Sequence, residues 1–127
     1  MIQNEILSIK NNNKEMYNTN KLVIKYIKNV NLNNINKLTN NDINRIQFII
    51  NNMLELGLPI NSKHYKRLGD GISELKFVTS KRQIRFYCHL IGHTIFVLLI
   101  TEKKSKSQQQ KDIKIAKELN KNKFWLL

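Results

Sequence analysis

The chain has a single cysteine, Cys88, in 127 residues. One thiol cannot form an internal disulfide, so a disulfide-stabilised secreted fold is excluded and a reducing compartment is favoured. The N-terminus, Met-Ile-Gln-Asn-Glu, has neither the basic start nor the apolar core of an export signal. The longest apolar run, Thr94–Ile100, is far shorter than the roughly 20 residues that span a bilayer. We therefore expect a soluble cytoplasmic protein with no membrane contact.

The signatures of metal and cofactor chemistry are also missing. The three histidines and the cysteine do not have the spacing of metal ligands. No glycine-rich loop that could cradle a phosphate is present, and no pair of acidic residues points to two-metal catalysis. We expect no metal and no cofactor, so any reaction would depend on the side chains of the protein itself.

Acidic residues are scarce. The chain has 9 of them against 22 lysines and arginines, which gives a formal net charge of +13. Residues 61–127 hold 15 of the basic residues and 5 of the acidic ones, a net +10, which leaves +3 for residues 1–60. An A+T-rich genome also enriches lysine, but such a bias would spread the excess more evenly. The charge favours a polyanionic partner, nucleic acid before acidic protein.

Two helices are predicted in the first half of the chain. The first covers Thr19–Val30, where apolar residues recur at helical spacing, and it follows a short strand predicted at Glu5–Lys10. The second begins after Thr39, which forms a capping-box-like pair with Asp42, and it ends at Gly57.

In the second half the apolar period changes to two, which is typical of strands. Turn signals at residues 69–71, 79–81 and 92–93 divide this region. Strands are predicted near His64–Leu68, Ser73–Val78, Arg82–Leu90 and Thr94–Ile100, followed by a helix over Gln108–Asn120. The last strand is apolar on both faces, as an interior strand covered on both sides would be.

These elements predict one α+β domain over residues 1–127. Two N-terminal helices would pack on a mainly antiparallel, twisted sheet of about four to five strands, and a C-terminal helix would close the domain. Residues 1–20 would form a variable N-terminal strand and loop. The C-terminal tail, residues 121–127, ends in Phe-Trp-Leu-Leu and is expected to pack on the domain.

One face of the predicted sheet is polar. Apolar side chains on two neighbouring strands alternate with a second set, namely Glu74, Lys76, Gln83, Arg85, Tyr87 and His89. Alternation at period two predicts that one set is buried and the other faces water. A wet, cationic face with an aromatic ring and an imidazole suits a polyanion better than a small apolar ligand.

Four segments of this region form a recognisable pattern. Residues 66–76 read KRLGDGISELK, residues 84–87 read IRFY, residues 95–105 form an apolar strand that leads to Lys103-Lys104, and Asp112–Asn120 has an alanine at Ala116. In this order they resemble the RelE/HigB toxin superfamily, in its phage-derived HigB-like branch. Two departures stand out. Lys76 replaces an arginine of the family, and Thr101 or Glu102 stands where the family has an aromatic residue.

The resemblance implies a RelE-like fold and the toxin of a type II toxin–antitoxin pair. Such a toxin cleaves mRNA on the ribosome and is silenced by an antitoxin, here expected to be of the helix-turn-helix type. The protein would be a monomer or part of a toxin–antitoxin hetero-oligomer.

Cleavage of RNA through its own 2′-hydroxyl needs a proton acceptor, a proton donor and cations on the phosphate, but no metal. The candidate catalytic residues are Lys76, Arg85, His89, Lys103 and Lys104. Arg85 would bind the phosphate, Lys76 would act as general base or charge stabiliser, and His89 would act as an acid or base. The alternative for Arg85 is a structural ion pair with Glu74 or Asp70, and for the lysines a solvated surface.

Further residues are candidates for binding the RNA strand, namely Lys66, Arg67, Arg82, Tyr87 and Lys106. Tyr87 could stack on a base or instead pack beneath the last helix. Two other functions remain open. One is a ParE-like toxin that acts on DNA gyrase without cutting RNA, and the other is a catalytically decayed phage protein that only binds nucleic acid.

Overall fold

The computed structural model describes residues 21–32, 35, 37–57 and 64–123. The strand predicted at Glu5–Lys10 and the packing predicted for residues 124–127 lie outside these residues. The elements, in chain order, are β1 (Val23–Tyr26), α1 (Asn40–Leu56), β2 (Tyr65–Gly69), β3 (Ile72–Thr79), β4 (Arg82–Ile91), β5 (Thr94–Glu102) and α2 (Lys106–Asn122). Neither helix of this described part is long and apolar enough to cross a membrane.

The five strands form one sheet in the order β1-β5-β4-β3-β2. Strands β2 to β5 pair antiparallel as successive hairpins, whereas β1 pairs parallel to β5. Side chains of α1 and of α2 join two separate hydrophobic clusters on the sheet. The two helices therefore cover opposite sides, which we call the α1 face and the α2 face.

The predicted pair of N-terminal helices is wrong, because the segment predicted as the first helix contains β1. Ile24 and Tyr26 join Leu22 on the α1 face, and Tyr26 packs edge-on against Phe86 with ring centroids 6.2 Å apart. The apolar residues between 22 and 30 fit a helical stripe as well as a short strand. Pairing with β5 decides the outcome, since local pattern alone cannot separate these two structures over so few residues.

Helix α1 forms where its end signals predicted it. The Thr39 hydroxyl accepts the Asp42 backbone N–H at 3.0 Å, and the Asp42 carboxylate accepts the Thr39 N–H at 3.1 Å. This capping box satisfies two backbone donors that have no partner within the helix. The helix ends at Gly57, whose N–H donates to the Met53 carbonyl. Its inward side chains include Ile46, Ile50 and Met53.

Strand β5 is an interior strand with buried residues on both sides, as predicted. Val97 and Ile100 belong to the cluster beneath α1, whereas Leu98 belongs to the cluster beneath α2 with Tyr87 and Ala116. A bulge makes this possible, because Tyr87 pairs with Leu99 and the next residue, Cys88, pairs with Val97. Because of the extra residue, two adjacent side chains of β5 can both lie on the α2 face.

Candidate functional site

The predicted polar residues of β3 and β4 do lie on one face of the sheet. Lys76 pairs directly with Arg85, and Arg85 pairs with Thr101 on β5. The ladder continues through Lys103, whose N–H donates to the Gln83 carbonyl at 2.9 Å. Because alternate residues of a strand share a face, Lys76, Arg85 and Lys103 lie on the α2 face in neighbouring rows.

Lys66 of the edge strand β2 pairs with Glu74 of β3 and lies on the same face. We call Lys66, Lys76, Arg85 and Lys103 the basic patch.

The prediction that this whole face is wet is wrong. Glu74, Arg85 and Tyr87 are only 4%, 6% and 0% exposed. Helix α2 lies over this face, with Ala116 packed in the same cluster as Tyr87. The period of two correctly predicted which side chains share the face, but it carries no information about which later element covers it.

Arg85 is held in a network of polar side chains. Its Nη1 donates to Glu74 Oε2 at 2.5 Å and its Nη2 donates to Gln83 Oε1 at 2.8 Å. Gln109 of α2 donates from Nε2 to the same Glu74 oxygen at 3.2 Å. The guanidinium charge is therefore neutralised locally, which is the structural alternative stated above. Glu74 and Gln109 belong to this network but were not among the predicted site residues. Glu74 was recognisable only as a potential ion-pair partner of Arg85.

The accessible cations of this region are lysines. Lys66 and Lys104 are exposed, and Lys76 and Lys103 are half-buried. Lys103 and Lys104 form the link between β5 and α2, and Lys106 is exposed in the first turn of the helix. A phosphate that approaches the patch would meet these ammonium groups before the buried Arg85.

Tyr87 is not available for stacking on a base in this structure. Its side chain is fully buried beneath α2, and burial is the main cause that raises the pKa of its phenol to about 12. A base could contact the ring only if α2 moved away. Packing under the last helix, the alternative considered for this residue, is what the structure shows.

His89 lies on the α2 face but away from the basic patch. Its Nδ1 donates to the Gly71 carbonyl at 2.7 Å, next to Asn120 near the C-terminal end of α2. It stands four residues beyond Arg85 on β4, roughly 13 Å at the usual strand rise. The structure therefore does not bring His89 together with Lys76 and Lys103.

Arg82 and Arg67 point to the α1 face. Arg82 lies two residues before the buried Ile84, and its Nε and Nη2 donate to the two Glu102 oxygens at 2.9 and 2.6 Å. These hydrogen bonds are the main cause that raises the pKa of Arg82 and lowers that of Glu102. Nη1 also donates to the Lys37 carbonyl at 2.9 Å.

Arg67 is exposed on β2 opposite Ser73. Neither arginine extends the basic patch.

The described side chains of the basic patch offer cations to an anionic ligand. Among residues 21–32, 35, 37–57 and 64–123, no group of three or more His, Cys, Asp or Glu side chains could hold a metal ion. The lysines of the patch can neutralise a phosphate and donate hydrogen bonds to its oxygens. Burial raises the pKa of the Cys88 thiol, which disfavours the reactive thiolate.

No curated protein and no solved structure matches the chain. The family model described as phage-derived protein Gp49-like (DUF891) matches residues 21–121, which include every described strand and nearly all of α2. That coverage is most of the chain. The protein therefore belongs to the Gp49-like phage-derived family, a family of RelE/HigB-like toxins.

Proposed function

We propose that the protein is the toxin of a type II toxin–antitoxin system and that it cleaves mRNA on the ribosome through the RNA 2′-hydroxyl. Membership of a RelE/HigB-like toxin family supports the class of protein. The observation that carries the proposal is the basic patch, because β3, β4 and the link after β5 bring Lys76, Arg85 and Lys103 to one face beside the start of α2. Its further partner would be an antitoxin that covers this patch.

In this mechanism Lys76 and Lys103 contact the scissile phosphate. Both are partly accessible, and their ammonium groups would stabilise the charge that builds up on the phosphate as the 2′-oxygen attacks. As the 2′-oxygen bonds to phosphorus, Lys104 would accept the proton of the 2′-hydroxyl. As the bond from phosphorus to the 5′-oxygen breaks, the Lys76 ammonium would donate a proton to that oxygen, which leaves a 2′,3′-cyclic phosphate and a 5′-hydroxyl. Arg85 is a positioning residue, since it anchors Glu74 and through it Gln109, and so fixes α2 against the patch.

The test compares Lys76→Gln with Lys28→Gln in a translating extract, with message integrity as the readout. Lys28 is an exposed lysine between β1 and α1, so its loss matches the change in charge. We expect Lys76→Gln to lower the cleavage rate by about 10²- to 10³-fold, as loss of one preorganised donor does. Lys28→Gln should cleave like the unmodified protein. Equal cleavage by the two variants would remove Lys76 from the mechanism.

Binding of nucleic acid without cleavage is the second candidate. The neutralised state of Arg85 and the distant position of His89 favour it, since both leave fewer groups for catalysis. Intact message in the extract, together with RNA binding that weakens steeply with salt, would point to this function. Intact message with DNA damage in expressing cells would instead indicate a ParE-like toxin that acts on gyrase.

A further inference from the structure

We propose that the solvent side of α2 is a second RNA-binding surface, which holds folded RNA by its phosphate backbone. The surface consists of Lys111, Lys114 and Lys121, which we call the lysine ridge. The inference rests on the proposed function in one respect, namely that the ligand is RNA. It assigns a contact that is distinct from the patch where the strand would be cut.

The three lysines lie on one side of the helix. They stand at positions i, i+3 and i+10, which fall within a quarter-turn of each other at 100° per residue, and they span about 15 Å of helix axis. All three are exposed. The opposite side of the helix faces the sheet with Asp112, Ala116 and Asn120, each of which is buried. The ridge is thus directed away from the domain.

The charge of the ridge is not balanced within the helix. Helix α2 contains five lysines and two acidic residues. Asp112 is buried and accepts a hydrogen bond from Gln108 at 3.0 Å, so its carboxylate does not pair with the ridge lysines. Lys117 is on the flank and pairs with Asp70 of the β2–β3 turn at 3.1 Å. Glu118 alone lies among the three ridge lysines, and one carboxylate cannot neutralise three ammonium groups.

The chemistry of the ridge favours RNA over an acidic protein. The outward side of the helix also carries the polar Ser107 and Asn122. Ile115 and Leu119 form an apolar groove that borders the ridge beside Lys111, on the side away from Lys121, so the ridge itself has no apolar centre. A protein interface normally has an apolar centre, whereas binding to a phosphate backbone needs mainly cations. Helix α2 has no aromatic residue that could stack on unpaired bases. Duplex RNA, recognised through its backbone, therefore fits better than a single strand.

The test measures binding of a fluorescent RNA hairpin by anisotropy between about 50 and 200 mM salt. The variant Lys111→Gln/Lys114→Gln/Lys121→Gln is compared with Lys25→Gln/Lys28→Gln/Lys37→Gln, which removes three exposed lysines from another part of the chain. We expect the ridge variant to bind more weakly and its salt slope to fall by about 2 to 3, since each phosphate contact contributes about 0.9. The matched control should keep the affinity and slope of the unmodified protein.

Equal losses of hairpin affinity in the ridge variant and its matched control would overturn the proposal, because they would show that net charge alone governs binding. An unchanged slope in the ridge variant, or an unmodified protein that does not bind the hairpin, would also overturn it. Acidic polyglutamate that displaces the hairpin only from a protein with an intact ridge would favour an acidic protein partner instead. Hairpin binding does not depend on cleavage, so the proposed nuclease function can fail in the extract while the ridge is confirmed.

Discussion

Arg85 and Glu74 form an ion pair whose side chains are only 7% and 5% exposed. Removal of two charges from water is costly, and their attraction offsets that cost only while both partners are present. Loss of one partner leaves the other buried and uncompensated. The pair is therefore important for stability whether or not Arg85 also serves the reaction. Loss of activity in Arg85→Ala would therefore not separate a role in the reaction from a loss of stability.

We predict that Arg85→Ala lowers the free energy of unfolding by about 3–5 kcal/mol. The double variant Glu74→Gln/Arg85→Gln should lose less unfolding free energy than the two single variants lose together. The reason is that the double variant leaves no unpaired buried charge. Urea denaturation followed by circular dichroism measures all four variants. Additive losses in the double-variant cycle would show that the two side chains are not coupled.

At the scale of elements, the turn between β3 and β4 is strained. Thr79 pairs with Arg82, so Ser80 and Lys81 form a two-residue turn, and their φ angles are +42° and +71°. Two-residue hairpin turns of this kind favour Asn-Gly, since residues with a side chain rarely adopt positive φ. This turn sets the register that places Lys76 opposite Arg85.

We predict that Lys81→Gly stabilises the protein by about 1 kcal/mol, because glycine adopts a left-handed conformation without the steric cost that lysine has. Lys81→Asn removes the same charge and should give a smaller gain, since asparagine tolerates this conformation only in part. Lys114→Gly, in the exposed face of α2, should instead destabilise by about 1 kcal/mol. Thermal unfolding distinguishes these outcomes. A loss of stability in Lys81→Gly would mean that the turn is not strained.

The sequence was informative wherever the signal is local. Thr39, Asp42 and Gly57 mark the ends of α1 by chemistry that acts within a few residues, and they predicted the helix correctly. The hairpin turn and the alternation along β3 and β4 predicted that Lys76 and Arg85 share a face. Each of these inferences needed only the residues of one or two neighbouring elements.

The failures concern contacts between distant segments. Strand β1 is four residues long and depends on pairing with β5, about seventy residues later in the chain. The burial of Glu74 and Tyr87 depends on α2, a polar helix whose tertiary position no pattern in β3 or β4 could reveal. Alternation of apolar and polar residues at period two assigns side chains to the two faces of a strand. Only the packed fold determines which face is exposed to water.

At the scale of the whole molecule, the two helices differ in charge, and α2 carries the larger excess of positive charge. Helix α1 carries Arg45 with two acidic residues, whereas α2 carries five lysines with two acidic residues. The basic patch lies on the α2 face next to the start of that helix. A polyanion would therefore be attracted to one side of the protein, and the patch and the ridge could bind the same RNA.

The α1 side of the molecule holds two acidic groups, Asp42 and Glu102, that stabilise the fold in their charged form. The hydrogen bond from the Thr39 backbone N–H is the main cause that lowers the pKa of Asp42, and hydrogen bonds from Arg82 are the main cause that lowers that of Glu102 below its ordinary 4.5. A lowered pKa in the folded state stabilises the fold at pH values above the ordinary pKa. That contribution is lost as the pH falls through the folded value. Protonation also increases the net positive charge, which is already +13.

We predict that the free energy of unfolding falls steadily as the pH is lowered from 6 to about 3, with most of the loss below the ordinary carboxyl pKa values. Arg82→Gln should be less stable than the unmodified protein at pH 6 and should lose less on acidification, because Glu102 no longer has a lowered pKa in the folded state. Arg67→Gln removes an exposed arginine of equal charge and should keep the full pH dependence. Urea titrations at each pH measure the three proteins. If Arg82→Gln and Arg67→Gln followed the same curve, the Arg82–Glu102 pair would not be a source of the acid sensitivity.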